Sequence, residues 1–221
     1  MIAVTFQDGD IVEISYVGRV KGTGEIFDLT DPDVAEEEDI DTSDMELGPV
    51  KVLLGEGYVL EGLEEKVKEM DVDEERTVEV PKAFGSRKSE NIKTVPKREF
   101  DEHDVRPRRG MPVEVDGRRG TIMSVSSGRV KVDFNHPLAG KDVEYDVEVL
   151  RKIDDPGEQV QAIAEFHVGH DFDVTFEDGT ATVMIHADVP EEARDKLAEE
   201  IEKLEAVNEA VVEAEEDEGA A

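Results

Sequence analysis

The stretch Asn135-His136-Pro137-Leu138-Ala139-Gly140 decides how this chain is interpreted. Pro137 and Gly140 disfavour a regular helix across it, because proline lacks an amide donor and glycine readily adopts turn conformations. Residues typical of β-strands flank the stretch on both sides, at 130–134 and 143–150. The stretch therefore predicts a tight connection through which the chain re-enters a sheet.

Four motifs precede this stretch in the sequence. They are Tyr16-Val17-Gly18, Phe27-Asp28, the run Leu54-Gly55-Glu56-Gly57-Tyr58-Val59-Leu60-Glu61-Gly62-Leu63, and Ala83-Phe84-Gly85. The ordered set resembles the FKBP-type peptidyl-prolyl cis-trans isomerases over residues 1–153, and more weakly beyond them. The long insertion before residue 135 resembles that of the SlyD-like branch. The additional C-terminal segment resembles the long archaeal form, in particular a haloarchaeal one.

The resemblance implies an α+β fold in which an antiparallel sheet wraps around a short helix. Residues 1–86 and 132–153 would form this discontinuous isomerase domain. Residues 87–131 would form a small β domain inserted in its flap, with both ends returning to the same place. Residues 154–221 would form a C-terminal α-β-β-α-β domain with a disordered acidic tail at 213–221.

The composition limits the classes of protein to which this chain can belong. It has 221 residues and no Cys, which excludes a disulfide framework, a thiol nucleophile and a Cys-ligated zinc site. No apolar run reaches the length of a membrane-spanning helix, and the N-terminus carries no apolar signal sequence. We therefore expect a cytoplasmic protein without membrane association.

The formal net charge of −33 is extreme for a chain of this length. Such a charge can indicate disorder, an acidic-tail protein, or adaptation to a cytoplasm of very high salt. Regular strand and helix patterns argue against disorder, and the acidic residues run along the whole chain. High-salt adaptation is favoured, because the Debye length falls to about 3 Å at 1 M salt and self-repulsion is then screened.

The charge is unevenly distributed. Residues 87–131 carry 12 Lys and Arg against 7 Asp and Glu, whereas residues 154–221 carry 3 against 22. This composition shift marks the insertion as a domain and suggests that its arginines recruit acidic unfolded polypeptides. The candidates are Arg106, Arg108, Arg109, Arg118 and Arg119. Unchanged client binding after charge reversal of all five would exclude this hypothesis.

Periodicity predicts the elements of the isomerase domain. Apolar patterns of the β type predict strands at 10–20, 25–29, 50–54, 76–80 and 143–150. Leu60, Leu63 and Val67 recur at helical spacing and predict a short amphipathic helix over 60–68. The acidic stretch 31–48 is predicted to be an exposed loop, with one helical turn at 34–38.

The insertion and the C-terminal segment have patterns of their own. In the insertion, Asp116-Gly117 and Ser127-Gly128 separate strands predicted at 111–115, 120–125 and 128–134. In the C-terminal segment the elements predicted are a helix at 158–166, strands at 172–176 and 182–185, a helix that begins at Pro190, and a strand at 210–212.

The chemistry of this family needs neither a metal nor a nucleophile, and no cofactor is implied. Rotation about an X–Pro bond has a barrier of about 18–20 kcal/mol, because the planar amide loses its resonance on twisting. A catalyst must bind the twisted amide more tightly than the planar one. An apolar cleft does so by removing water from the amide.

The resemblance also implies which residues line that cleft. They are Tyr16, Phe27, Val50, Val59, Leu60, Leu63, Phe84 and Tyr145, with Asp28 as the polar residue facing the cleft wall. The Leu60 amide would anchor the substrate carbonyl. From spacing alone the same side chains would be interpreted as ordinary core, and the order of the motifs favours the catalytic interpretation.

Two positions depart from the family pattern. Leu63 stands where most members carry Trp, which gives a shallower floor to the cleft. Phe84 replaces the Tyr of an Ala-Tyr-Gly motif, which removes a hydroxyl that would bond the substrate. These departures support an alternative function, a non-catalytic holdase that binds unfolded polypeptide and keeps only a vestigial cleft.

The insertion of SlyD-like proteins binds unfolded polypeptide and delivers it to the cleft. The residues of this chain that would form an apolar client groove are Ile92, Val95, Phe100, Val105, Met111 and Met123. Some of them are expected to belong to the core of the insertion instead. The resemblance thus implies unfolded or nascent proline-containing polypeptides as partners.

Other ligands and partners follow from the remaining sequence. Nucleic acid is disfavoured, because the basic insertion lacks interleaved aromatic residues and its acidic neighbours would repel phosphate. No metal site is predicted, because Gly169 interrupts the helical spacing of His167 and His170 and no third ligand follows. The C-terminal sheet edge predicts a homodimer interface, so that deletion of residues 154–221 would give an active monomer.

High-salt adaptation predicts that the free energy of unfolding rises with salt concentration. At low ionic strength the unscreened repulsion among carboxylates should unfold the chain. We expect the thermal midpoint, followed by circular dichroism, to increase between about 0.1 M and about 3 M KCl. A midpoint independent of KCl concentration would contradict this interpretation.

Overall fold

The computed structural model describes residues 6–43, 45 and 47–214. Within them the chain divides into two compact units. The first comprises the described residues of Met1–Arg19, Thr23–Val80 and Glu144–Ala221. The second comprises Val20–Gly22 and Pro81–Val143. The α+β class predicted from the sequence is confirmed.

A five-stranded sheet forms the centre of the first unit. Its strands are β1 (Ile11–Val20), β2 (Ile26–Leu29), β3 (Val50–Leu53), β4 (Glu74–Val80) and β9 (Val143–Ile153). They lie in the order β2-β1-β9-β4, and β3 pairs with β1. Both β2 and β3 are antiparallel to β1. All five strands were predicted, with ends that differ by up to three residues.

Two short helices, α1 (Pro32–Glu37) and α2 (Glu61–Val67), belong to the same unit. The predicted helix over 60–68 is confirmed as α2, which buries Leu63 and Val67. It lies so close to β4 that a Cβ on Gly62 would stand 2.8 Å from Val80 Cγ1. Glycine is therefore required where this helix crosses the sheet.

The segment between β2 and β3 is less exposed than its composition predicts. Its one helical turn is confirmed as α1, where Ala35 is buried. Ala35 joins Val17 and Leu29 in a small apolar cluster, against which Ile40 and Leu47 pack. The prediction of an exposed loop is wrong on this inner face, because the few apolar side chains among the acidic ones turn towards the sheet.

The C-terminal segment contains two helices and a three-stranded sheet. Its elements are α4 (Pro156–Val168), β10 (Phe172–Glu177), β11 (Thr180–Ile185), α5 (Glu191–Ile201) and β12 (Glu209–Ala214). β10 is antiparallel and β12 parallel to the central β11. This order of elements was predicted. The predicted disordered tail is wrong for Glu213 and Ala214, which belong to β12, and its remainder at 215–221 lies outside the described residues.

One apolar core joins the C-terminal segment to the sheet of the first unit. Ile11 of β1, Leu53 of β3 and Ile153 of β9 are buried in the same cluster as Ile163 of α4 and Leu197 of α5. A domain connected only by a flexible linker would not share its core in this way.

Ion pairs reinforce the joint between the sheet and α4. Arg151 contacts two carboxylates, Glu13 at 2.6 Å and Glu158 at 2.5 Å. Lys51 of β3 lies 3.0 Å from Glu165 of α4. Residues 154–214 are thus packed on the sheet through both apolar and charged contacts.

A four-stranded antiparallel sheet forms the second unit. Its strands are β5 (Ile92–Pro96), β6 (Pro112–Val115), β7 (Arg118–Ser126) and β8 (Arg129–Asp133), in the order β5-β8-β7-β6. Helix α3 (Lys97–Glu102) follows β5. The three predicted strands are confirmed, and Asp116 and Gly117 both have the positive φ that a two-residue hairpin turn requires. β5 and α3 were missed, because neither is long enough to show a periodicity.

The segments that lead into and out of this sheet are fastened together. β5 pairs with β8 so that Ile92 lies opposite Asp133. The Asn135 side chain accepts a hydrogen bond from the Lys88 amide at 2.9 Å and donates to the Lys88 carbonyl at 3.0 Å. It also donates to the buried Asp133 at 2.7 Å, and Arg87 pairs with the same carboxylate. We call this group of residues the neck of the insertion.

The shared core predicts that Ile163→Ala destabilises the sheet of the first unit and not only the C-terminal segment. Ile163 is fully buried, and truncation of a buried isoleucine costs about 2–5 kcal/mol. Urea unfolding of the sheet can be followed by tyrosine fluorescence in a Tyr58→Phe background, because Tyr58 contacts α4 whereas the other two tyrosines, Tyr16 and Tyr145, lie on β1 and β9. Gln161→Ala, exposed on the same helix, is the matched control. A tyrosine transition that Ile163→Ala leaves unchanged would mean that the two parts fold independently.

Candidate active site

Strand β1 sets the face of the sheet on which the site lies. Tyr16 and Gly18 are two residues apart and therefore share a face. Gly18 lies opposite Asp28 of β2, and Ile14 lies opposite Val50 of β3. Because directly opposed residues of an antiparallel pair project to the same side, Tyr16, Asp28 and Val50 share one face.

Three aromatic rings meet over Gly18. The Tyr145 ring packs edge-on against Tyr16 and Phe27, with centroids 5.6 Å and 5.7 Å apart. A Cβ on Gly18 would lie 2.9 Å from Tyr145 Cε1 and 3.0 Å from Phe27 Cζ. The lack of a side chain at position 18 is therefore what allows the rings to close over the strand.

Asp28 is the polar group beside these rings. The Tyr16 hydroxyl donates a hydrogen bond to its carboxylate at 3.2 Å. Burial raises the pKa of the Asp28 carboxyl, and the bond from Tyr16 opposes this effect only in part. Burial, together with the nearby Asp28 charge, raises the pKa of Tyr16, so its hydroxyl remains a donor at neutral pH.

A buried threonine that the sequence analysis missed fixes the backbone of Tyr16. The Tyr16 amide donates to Thr30 Oγ1 at 2.8 Å, and the Tyr16 carbonyl accepts from the Thr30 amide at 2.9 Å. Thr30 is 4% exposed. A hydroxyl residue two positions after Asp28, at the end of a predicted strand, is the only signal that could have identified it.

Helix α2 and the residues before it supply the remaining apolar side chains. Val59 and Leu60 are half-buried, and Leu63 is almost fully buried. Leu60 is the N-cap residue, and its carbonyl accepts from the Leu63 amide at 2.8 Å and the Glu64 amide at 2.9 Å. The turn that begins the helix thus fixes the orientation of the Leu60 carbonyl.

A second missed residue, Glu64, holds the loop that precedes α2. Its carboxylate accepts from the amides of Gly55 at 2.9 Å and Gly57 at 3.3 Å, and Lys68 lies 2.7 Å away. Glu64 is 7% exposed, and hydrogen bonds to an ionised group are the stronger kind. A carboxylate next to the buried Leu63, downstream of two glycines, is the pattern that indicates this role.

Phe84 belongs to the second unit. Its ring stacks on the imidazole of His136, with centroids 4.5 Å apart and planes 6° from parallel. The Gly140 amide donates to the Gly85 carbonyl at 2.7 Å. The motif at 83–85 and the stretch at 135–140, which are far apart in sequence, therefore lie together.

A cavity of about 410 Å³ lies in the insertion between α3 and β6. The predicted groove residues that line it are Val95, Phe100, Val105 and Met111. Val95 and Phe100 also belong to the insertion's core, as the sequence analysis expected for some members. Ile92 does not line the cavity, and Met123 lies elsewhere on β7 with 38% of its surface exposed.

The basic residues of the insertion are exposed. All five arginines proposed to recruit acidic clients lie at the surface. The Arg118 guanidinium is also 4.9 Å from the centre of the Phe134 ring, a cation–π contact that orients it.

Candidate metal ligands and membrane-spanning helices can be assessed in residues 6–43, 45 and 47–214. No group of three or more His, Cys, Asp or Glu side chains in these ranges could hold a metal ion. His167 lies 2.7 Å from Glu200 and His170 lies 3.2 Å from Glu165, so each has a carboxylate partner. No helix in the same ranges is long and apolar enough to cross a membrane.

Known proteins show which family this fold and site belong to. The short-type peptidyl-prolyl cis-trans isomerase of Methanocaldococcus jannaschii is 36% identical over 143 residues, which are 64% of this chain and 90% of the relative. The FKBP-type 16 kDa peptidyl-prolyl cis-trans isomerase of Escherichia coli K12 is 34% identical over 46% of this chain and 72% of the relative. This chain therefore belongs to the FKBP-type peptidyl-prolyl cis-trans isomerase family.

Further similarities concern the SlyD-like branch and the insertion. The FKBP-type isomerase SlyD of Helicobacter pylori is 30% identical over 62% of this chain and 69% of the relative. Residues 93–138 match the sequence model of the FKBP26 IF domain. Among solved structures, the N-terminal domain of FKBP42 from Arabidopsis thaliana is a distant neighbour, with a TM-score of 0.35 and 16% identity over 68% of this chain.

The raised pKa of Asp28 predicts that the stability of the Asp28→Asn variant, relative to that of wild type, increases as the pH rises. The folded state favours the protonated carboxyl, so the stability that Asp28 contributes is fully present at low pH and is lost as the pH rises through the raised value. Asn carries no charge and still offers Tyr16 an acceptor. The variant should therefore be more stable than wild type at pH 7, with the difference developing above about pH 4.

Thermal midpoints measured across this pH range at constant KCl concentration test the prediction. Asp195→Asn, at an exposed position on α5, removes the same charge and serves as the control. An Asp28→Asn effect that matches this control at every pH would show that burial of Asp28 has no energetic consequence.

Proposed function

We propose that this chain catalyses the cis–trans isomerisation of X–Pro bonds in unfolded polypeptides. The observation that carries the proposal is the arrangement of Tyr16, Phe27 and Tyr145 around the partly buried Asp28. Membership of the FKBP-type family supports it, and so does the isomerase activity that the names of the relatives state.

The rings provide the catalytic effect by excluding water. A planar amide is polarised by resonance, so water stabilises it more than the twisted amide. Bound among Tyr16, Phe27 and Tyr145, the prolyl amide loses this solvation, and the twisted state becomes relatively more favourable. Each 1.36 kcal/mol of such differential stabilisation raises the rate about tenfold.

Tyr16 and Asp28 form a fixed polar pair on the otherwise apolar wall. The reaction transfers no proton and breaks no covalent bond, so neither residue acts as an acid, a base or a nucleophile. Their role is to orient the polypeptide, with the Leu60 amide donating to a substrate carbonyl. The hydrogen bonds of Thr30 and Glu64 hold the backbones on which these groups stand.

The insertion is proposed to capture unfolded polypeptide. This divides the chain into an isomerase domain at 1–86 and 132–153, a chaperone domain at 87–131 and a C-terminal domain at 154–221. The apolar cavity between α3 and β6 and the match of residues 93–138 to the IF domain support this role. The exposed arginines of the same insertion would favour the binding of acidic segments of client chains.

The C-terminal domain is proposed to form a homodimer, with the protein located in the cytoplasm. β10 and β12 are the edge strands of its sheet, and an edge strand offers unpaired backbone groups to a second copy. Sedimentation of the full chain at molar KCl tests this. A monomer at micromolar concentration would refute the dimer.

A holdase without isomerase activity is the second candidate. The observations in its favour are Leu63, which is buried where the family carries Trp, and Phe84, which has no hydroxyl. Leu63 would weaken the contact with the prolyl ring and Phe84 would lose a hydrogen bond to the substrate, while both would leave the capture of unfolded chains intact.

Refolding of a client limited by proline isomerisation, at molar KCl, distinguishes the two candidates. The proteins compared are wild type, Asp28→Ala, a version lacking residues 88–131, and the control Asp195→Ala. We expect wild type and Asp195→Ala to accelerate the slow refolding phase equally. Asp28→Ala should accelerate it at least about tenfold less, which corresponds to about 1.4 kcal/mol of transition-state stabilisation.

Removal of the insertion should lower the rate at which the enzyme accelerates refolding of the protein client, but it should leave the catalysed isomerisation rate of a short proline peptide unchanged. That result would couple catalysis to client capture. Suppressed aggregation without any acceleration by wild type would instead establish the holdase.

A further inference from the structure

The loop between β3 and α2, at 54–60, contacts the C-terminal segment and also supplies two residues of the proposed cleft, Val59 and Leu60. Before the loop, Leu53 is buried in the core shared with α4 and α5. After the loop, α2 buries Leu63, which lies outside that core. All of these residues lie in the first unit, so the loop connects two parts of one folded body.

The C-terminal segment does not itself line the cleft. It packs on the face of β1 that carries Ile11. Tyr16 lies five residues further along the same strand and therefore projects from the opposite face. An influence of the C-terminal segment on catalysis must pass through the chain that runs between the two faces.

Tyr58 is the loop residue that the C-terminal segment holds. Its ring stacks on Phe166 of α4, with centroids 3.6 Å apart and planes 15° from parallel. Its hydroxyl donates to Glu200 of α5 at 2.8 Å, and His167 of α4 bonds the same carboxylate at 2.7 Å. Burial, together with the hydrogen bond to Glu200, raises the pKa of Tyr58, so the hydroxyl remains a donor at neutral pH. The ring and the hydroxyl of Tyr58 are thus both fixed by the C-terminal segment.

A second contact between the loop and this segment is weaker. Lys203 lies 2.9 Å from Glu56, and 56% of the lysine side chain is exposed. Exposed ion pairs of this kind contribute little to stability. Tyr58 is therefore the principal link.

The orientation of the Leu60 amide depends on this link. The first turn of α2 fixes the Leu60 carbonyl, but the amide belongs to the preceding peptide group, and among the described residues it donates no hydrogen bond. Glu64 anchors the loop only as far as Gly57, whose positive φ of 77° is a conformation that glycine readily adopts. Tyr58 comes next in the chain and lies within about 7 Å of Leu60 along it.

We infer that Tyr58 is a positioning residue of the isomerase and that the C-terminal segment contributes to catalysis by holding it. Held by Phe166 and Glu200, Tyr58 sets the peptide group whose amide donates to the substrate carbonyl. This role rests on the proposed isomerase function. It differs from the expectation that the enzyme remains active without residues 154–221, because that deletion removes both supports of Tyr58.

Isomerisation of a short proline peptide at molar KCl tests the inference, because such a peptide does not depend on capture by the insertion. Phe166→Ala leaves the sequence of the loop intact and should lower kcat/KM by about 3- to 10-fold, since small displacements of groups that position the substrate are costly. Phe166→Leu keeps an apolar support for Tyr58 and should show a smaller loss. Gln161→Ala, exposed on the same helix, is the control and should match wild type.

A double-mutant cycle on kcat/KM tests the hydrogen bond. Tyr58→Phe and Glu200→Ala each remove the bond and leave the stacked rings in place. If the two residues act through this bond, the double variant should lose no more activity than the more impaired single variant. Fully additive losses would show that the residues act independently and would overturn the inference.

The NMR signal of the Leu60 amide separates positioning from a general loss of stability. In Phe166→Ala, measured well below the thermal midpoint, this signal should shift, whereas that of the Tyr16 amide, which is bonded to Thr30, should stay in place. A lowered thermal midpoint with an unchanged Leu60 signal and unchanged kcat/KM would overturn the inference, because the contact would then only stabilise the fold.

The same signal distinguishes failure of this inference from failure of the proposed function. A wild-type protein that isomerises no peptide, and whose Leu60 signal still shifts in Phe166→Ala, would refute the isomerase function and establish that the C-terminal segment holds the loop. An active wild type in which Phe166→Ala changes neither the signal nor kcat/KM would refute the inference alone.

Discussion

The pairing register of β1 is the constraint on which the rest of the first unit depends. Its C-terminal half places Tyr16 and Gly18 on the face that carries the site, and its first residue, Ile11, lies in the core shared with α4 and α5. Because side chains alternate along a strand, a slip of one residue would move Tyr16 off the site face. The glycine at position 18 would then no longer lie beneath the rings that require it.

The same dependence explains why much of the fold was predictable. Apolar residues alternate along β1 and recur at helical spacing along α2. Because these local patterns indicate which side chains are buried, both elements were predicted. The aromatic residues and Asp28 were identified through the order of the motifs, and the structure brings Tyr16, Phe27, Asp28 and Tyr145 together. Where both signals were present, sequence and structure agree.

The residues that were missed act through contacts distant in the sequence. Thr30 and Glu64 are polar residues buried by tertiary packing, and the local signals at these two positions are too weak to predict that burial. The acidic segment before β3 was misjudged because its average composition conceals the small cluster around Ala35. The contact between Phe166 and Tyr58 joins segments that no periodicity connects, so only the folded chain reveals it.

The neck around Asn135 and Asp133 makes the insertion an exchangeable module. Its first and last strands, β5 and β8, are hydrogen-bonded neighbours, so the two ends are only about 5 Å apart. For the rest of the chain, the insertion therefore takes the place of a turn between two neighbouring segments. The entropic cost of closing a loop rises only with the logarithm of its length, so a longer insertion adds little to this cost. A duplication or recombination that replaced this module would leave the sheet of the first unit unchanged, and the neck is where such an exchange can join the old chain to the new.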